Sequence, residues 1–244
     1  MKKKATLLIQ HLESIYPMVF PFDQVIHDGY IAIHHDKILS LGLGEGKEWI
    51  EKDTRILEGR GNIAFPGFID VDVCFSDHME GRVNDWIKLY ETGNRLLKNG
   101  TMIVGTEPID ETKRSCLRVE PVVKTKHRYP IVHPLHPAEI TKSYRRFCIS
   151  SAHLTVDCLD QLQCAKLYAL WHPELSETQI LAACCVYPAR ALRLRQVGQL
   201  RPSWKANVLM SEGRSFSDVL NRWHGSNILQ VIKNGVRIYP YLLI

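Results

Sequence analysis

Three consecutive patterns between residues 66 and 106 constrain the fold most. Pro66-Gly67 introduces Phe68-Ile69-Asp70-Val71-Asp72-Val73-Cys74, which reads as a buried strand over 66–75 entered through a Pro-Gly turn. Val83 to Lys98 follows, with Val83, Ile87, Tyr90 and Leu97 recurring near a 3.6-residue period and Asn99-Gly100 closing the run. Thr101-Met102-Ile103-Val104-Gly105-Thr106 is then a short buried strand. Strand, helix and strand in that order make a βαβ unit, whose connection joins parallel strands.

The two ends of the chain read as β. Tyr30-Ile31-Ala32-Ile33-His34 and Lys37-Ile38-Leu39-Ser40-Leu41 flank His35-Asp36, a hairpin. Gly42, Gly44 and Gly46 lack the third spacing and following helix of a phosphate-binding fingerprint and read as a loop. Near the other end, residues 206–210 form a strand pattern, and 228–233 with 236–239 flank Asn234-Gly235, the strongest short hairpin signal. Between the ends, residues 107–147 lose periodicity, with prolines at 108, 121, 130, 134 and 137 and short strands expected within 119–123, 129–133 and 147–151. Helices are expected from Cys158 to Trp171 and from a Ser176-to-Gln179 capping box to Val186, with Pro188 opening a further turn to Leu194.

The predicted class is α/β. Residues 5–65 and 195–244 build a small β-sandwich-like composite domain, and 66–194 form an inserted α/β layer containing the irregular basic segment 107–147.

Composition narrows the functional classes. Residues 111–147 hold nine Lys/Arg against three glutamates, while the whole chain carries a net charge of +5. No nucleic-acid motif accompanies this charge, so a solvated basic loop is expected in place of a nucleic-acid partner. Seven cysteines without a C-x-x-C pair predict reduced, buried thiols and a cytoplasmic protein. The apolar run after Lys2-Lys3-Lys4 stops at Gln10-His11, too short for a signal peptide, and no stretch is long enough to span a membrane.

The order of these segments resembles the amidohydrolase superfamily, and within it most the imidazolonepropionase family. Gly29 to Ile33 through Lys37-Ile38 is similar to the family's opening, and Gly61-Asn62-Ile63-Ala64-Phe65-Pro66-Gly67-Phe68-Ile69-Asp70 to its crossing into a barrel. Leu97 to Val104 resembles the second barrel strand. Tyr187-Pro188-Ala189-Arg190-Ala191-Leu192, Val197-Gly198-Gln199-Leu200-Arg201-Pro202 and Val231-Ile232-Lys233-Asn234-Gly235 resemble its closing motifs, and Trp223 to Asn227 is similar to a run of imidazolonepropionases.

The resemblance implies a hydrolase of non-peptide carbon–nitrogen bonds with a metal held first by His-x-His. Here Asp72 and Cys74 stand at those two places. A complete eight-stranded barrel takes about 200–250 residues, more than 66–194 supplies, so a truncated, incomplete TIM-barrel-like layer is expected. The late catalytic aspartate would fall near Ile149 to Ala152, where Ser150-Ser151-Ala152 offers no carboxylate. The expected function is therefore a degenerate relative without metal or other cofactor. It would act by binding a small-molecule ligand, a protein or a second copy of itself as a homodimer. The alternative is a divergent active hydrolase of cyclic amides or amidines, with one divalent metal (zinc, iron or manganese). That alternative would draw metal ligands from Asp72, Cys74, His133 and His136, and acid–base groups from Asp77, His78, His153 and Asp157. Plainer roles stand beside these: Cys74 as a small hydrophobe, His133 and His136 on a proline-rich loop, Asp77 and His78 as loop residues, and Asp157 as a helix N-terminal acid.

Overall fold

The computed structural model describes residues 3–75, 83–126, 129–134, 145–151, 160–224 and 227–240, with the backbone alone at 83–85 and 116. In chain order the first strands are β1 (Leu7–Ile15), β2 (Ile26–His34), β3 (Lys37–Leu43), β4 (Arg55–Glu58) and β5 (Asn62–Pro66). Then come β6 (Phe68–Asp70), α1 (Val83–Lys98), β7 (Thr101–Thr106), α2 (Glu111–Cys116), β8 (Glu120–Val123), β9 (Ile131–Val132) and β10 (Cys148–Ile149). Helices α3 (Gln161–Trp171), α4 (Glu177–Cys184) and α5 (Val186–Ala191) lead to β11 (Val208–Glu212), α6 (Phe216–Asn221), β12 (Gln230–Lys233) and β13 (Val236–Tyr239). The chain divides into two compact units, Met1–Gly67 with Gln196–Ile244, and Phe68–Arg195.

The first unit is built on one mixed eight-stranded sheet in the order β13-β12-β11-β5-β1-β2-β3, with β4 also paired to β1. β1 serves two parallel partners in succession, β4 along Leu7–Gln10 and β5 at Ser14 and Ile15. A register irregularity between Ile9 and Leu12, with His11 at φ 54°, bends the strand where the partner changes. Ile9, Leu12, Ile31, Ile33, Ala64, Val208, Met210 and Ile232 meet in one buried cluster. The Asn234-Gly235 hairpin forms as its sequence requires, both residues having positive φ. A Cβ on Gly235 would lie 1.7 Å from the His35 carbonyl oxygen, so glycine is needed for space as well as for φ. The chain leaves this unit after Gly67 and returns at Gln196. The flanking strands β5 and β11 are direct antiparallel neighbours from Pro66↔Val208 to Asn62↔Glu212.

In the second unit β6, β7 and β8 form a parallel sheet, and β9 and β10 a separate parallel pair. The architecture is thus mixed α/β with an open sheet. α1 packs on β7, while α4 and α5 each pack on both β6 and β10. Helix α1 and strand β7 have the expected bounds. The strand expected over 66–75 is split: β5 ends at Pro66, and β6 covers only Phe68–Asp70. After Asp70 the Asp72 N–H turns back to Asp70 Oδ1 at 3.2 Å, and the Val73 N–H then donates to the Gly105 carbonyl of β7 at 2.8 Å, so the pairing is interrupted there and not ended. Helix α4 stops at Cys184 and α5 begins at Val186, so Pro188 sits inside its first turn, where a missing N–H costs nothing. Two short helices were not foreseen. α2 lies in the stretch expected to be irregular, capped by Asp110 accepting from the Lys113 N–H, and α6 is opened by a Ser215/Asp218 capping box. Among the described residues no helix is long and apolar enough to cross a membrane.

Candidate functional site

Parallel strands deliver their C-terminal ends to the same side, and in α/β sheets ligand chemistry gathers there. In the second unit those ends are Asp70 to Cys74 after β6, Thr106-Glu107 after β7, Lys124 after β8, His133 after β9 and Ser150-Ser151 after β10.

Asp70 is fully buried. Its Oδ1 accepts from Ser150 Oγ at 2.5 Å and from the Asp72 N–H, and its Oδ2 accepts from the Ser151 hydroxyl at 2.5 Å and the Ser151 N–H at 2.9 Å. Burial raises the Asp70 pKa above the ordinary carboxylate value, and these hydrogen bonds oppose the rise without cancelling it. β6 and β10 share no ladder, so Asp70 ties one strand end to the other through side chains. Gln161, the first residue of α3, reinforces the tie. It is fully buried, and its Nε2 donates to the carbonyls of Ile69 at 2.7 Å and Ile149 at 3.1 Å, with the Cys184 carbonyl at 3.5 Å. Asp160 caps α3 in a capping box with Gln163, which fixes where Gln161 enters the interior.

Beside this knot lies an ion pair. Lys124 Nζ meets Asp72 Oδ1 and stands 3.5 Å from Glu107 Oε1. Partial burial works to lower the Lys124 pKa, but the hydrogen bond and charge of Asp72, with Glu107, outweigh it, so the ammonium form is reinforced. Lys124, grouped by sequence with a solvated basic segment, is largely covered here. Thr106 Oγ1 at the end of β7 is buried without a hydrogen-bond partner among the described residues.

The expected site residues are distributed as follows. Asp72 lies in the ion pair, Cys74 is half-buried, and His133 is buried after β9. His136, Asp77, His78, His153 and Asp157 lie outside the described residues. Among the described residues no three His, Cys, Asp or Glu groups converge to hold a metal. Cys148, Cys164, Cys184 and Cys185 are free and buried, and burial drives their thiols far above the ordinary range, which disfavours the thiolate a metal needs. The Asp70 oxygens are filled by N–H and O–H donors, and Asp72 faces an ammonium. Among the described residues this donor set does not fit a catalytic metal. Ser150, Ser151, Gln161 and Lys124 are the participants that sequence reasoning missed as site residues. The pair Ser150-Ser151 at the end of the apolar run 147–149 was the available signal.

No protein-family model matches the chain. A stretch of 48 residues is 48% identical to imidazolonepropionase of Streptococcus sanguinis, covering 19% of this chain and 11% of that protein. Solved structures match over nearly the whole chain. Triazine hydrolase from Arthrobacter aurescens has a TM-score of 0.68 at 12% identity, covering 95% of this chain and 94% of that one. A zinc-bound adenosine deaminase from Xanthomonas campestris has a TM-score of 0.72 at 9% identity, covering 97% and 93%. These neighbours are amidohydrolase-superfamily enzymes, and at such identities the likeness is one of fold.

Proposed function

We propose that the chain is a degenerate, imidazolonepropionase-related amidohydrolase-fold protein that acts by binding a small molecule or a protein and not by metal-dependent hydrolysis. One observation carries this reading: the strand ends that would hold the metal histidines and the late aspartate are engaged with protein groups. Asp70 is clamped by Ser150 and Ser151, and Asp72 by Lys124. Hydrolysis at a metal needs converging ligands and an open coordination position for water, and hydroxyl and ammonium donors supply neither. Among the described residues β8 is an edge strand of its sheet, and it carries exposed Val123. That edge supports association with a second copy of the chain. The buried free thiols fit a reducing compartment such as the cytoplasm.

The second reading, a divergent hydrolase of carbon–nitrogen bonds in cyclic amides or amidines, draws support from the names of the neighbours and from the zinc in one of them. Elemental analysis of protein purified without added metal separates the two. The binding reading expects only trace metal. Stoichiometric zinc, iron or manganese, lost when Asp72 and Cys74 are substituted, overturns it.

A further inference from the structure

We infer that the ammonium of Lys124 is a built-in cation at the ends of the parallel strands, held between Asp72 and Glu107 in the place where a metal ion would otherwise supply the positive charge. This rests on the metal-free reading above and extends it by naming the group that replaces the metal.

Three neighbouring strands contribute to the arrangement. Asp72 follows β6, Glu107 follows β7 and Lys124 follows β8, and the parallel registers bring all three to one end of the sheet. The Lys124 N–H donates to the Thr106 carbonyl at 3.0 Å, continuing the β7–β8 ladder and fixing where the side chain starts. The Lys124 and Asp72 side chains are 21% and 19% exposed. At that depth a lone carboxylate is costly, and a paired one is not. Glu107 is 65% exposed and so is the weaker partner.

A tethered ammonium satisfies two carboxylates without recruiting an ion from solution. It also repels a divalent cation from the same point. It cannot reproduce what the ion does chemically: an ammonium has three N–H donors and no open coordination position, so it polarises no bound water. The ammonium offsets one of the two carboxylate charges and supplies none of the hydrolytic chemistry of a divalent ion.

The test is a double-mutant cycle on the full chain with Lys124→Met, Asp72→Asn and the two combined. Denaturant unfolding is measured in chelator, and thermal shifts are measured with added zinc or manganese. Lys124→Met is expected to lower the folding equilibrium at least about ten-fold, and Asp72→Asn in that background to recover about ten-fold, the signature of two coupled charges. Zinc or manganese is expected to raise the melting temperature of Lys124→Met but not that of the natural chain or the double variant. Additive single effects in a metal-free protein overturn this inference alone. So does failure of both Lys124→Met and the double variant to fold, because the double carries neither charge. Stoichiometric metal in the natural chain overturns both this inference and the binding reading.

Discussion

Changing Gln161 to glutamate replaces one NH2 group by one oxygen and tests the knot between β6 and β10. In the native chain Gln161 Nε2 faces the carbonyls of Ile69, Ile149 and Cys184, and the residue is fully buried. An ionised carboxylate there would point at three carbonyl oxygens with no compensating donor, so the introduced group stays protonated when folded. Keeping a glutamic acid neutral at about pH 7 against an ordinary pKa of about 4.3 costs about 3.7 kcal/mol. The protonated acid has one O–H where the amide had two N–H donors, so one carbonyl loses its partner at a further cost of about 1–2 kcal/mol. The sum is about 5 kcal/mol, a fall in melting temperature of roughly 10–20 °C for a chain of this size. The sign with pH follows from the raised folded pKa. The charge penalty is absent below the unfolded pKa of about 4.3 and grows by about 1.4 kcal/mol per pH unit above it, until the folded pKa is reached. Urea unfolding of the native chain, Gln161→Glu and the neutral Gln161→Met between about pH 4 and pH 8 provides the assay. The glutamate variant's deficit should widen with pH, and the methionine variant's should stay flat at about 2–4 kcal/mol. A glutamate deficit that does not change with pH would refute the reasoning, because the side chain would then have found a donor or water.

Two further outcomes follow from local geometry. Gly105→Ala places a Cβ 2.3 Å from the Val71 carbonyl oxygen and 2.9 Å from Leu192 Cδ2, so β7 must separate from the segment after β6; denaturant unfolding should show a loss of about 2–4 kcal/mol, and an unchanged midpoint would contradict that close approach. Asp218 accepts from the Arg214 N–H at 2.7 Å and the Ser215 N–H at 3.1 Å, which hold its pKa below the ordinary value, so its stabilisation is present above about pH 3.9 and lost as pH falls through the folded value. Asp218→Ala should cost about 1 kcal/mol near pH 7 and progressively less in acid, as followed by thermal melts across pH.

What could be read from the sequence divides along contact range. Helix α1, strand β7 and both hairpins were legible because each is specified by residues a few positions apart: a 3.6 period closed by Asn99-Gly100, an apolar run, and Asn234-Gly235. The Ser176 capping box was legible for the same reason. The interruption after β6 was not, since there the Asp72 N–H turns to the side chain of Asp70. The clamp on that side chain joins residues 80 and 81 positions apart. The resemblance marked Asp72 as a metal position, but no local pattern announces that Lys124, on another strand, neutralises it. The charge count that placed Lys124 in a solvated basic loop was correct about composition and blind to register.

The neighbouring placement of β5 and β11 has a consequence for how such a chain can change in length. The sheet pairs Pro66 with Val208, and the Gly67 N–H donates to the Asn207 carbonyl at 3.1 Å, so the departing and returning chain are pinned together whatever lies between them. Closing that long excursion depends only logarithmically on its length, and doubling or halving it changes the entropy of closure by about 0.6 kcal/mol. Strand–helix pairs can therefore be deleted from or added to the excursion with little effect on the ladder that anchors it. The sheet acts as a fixed clasp on a loop of adjustable size.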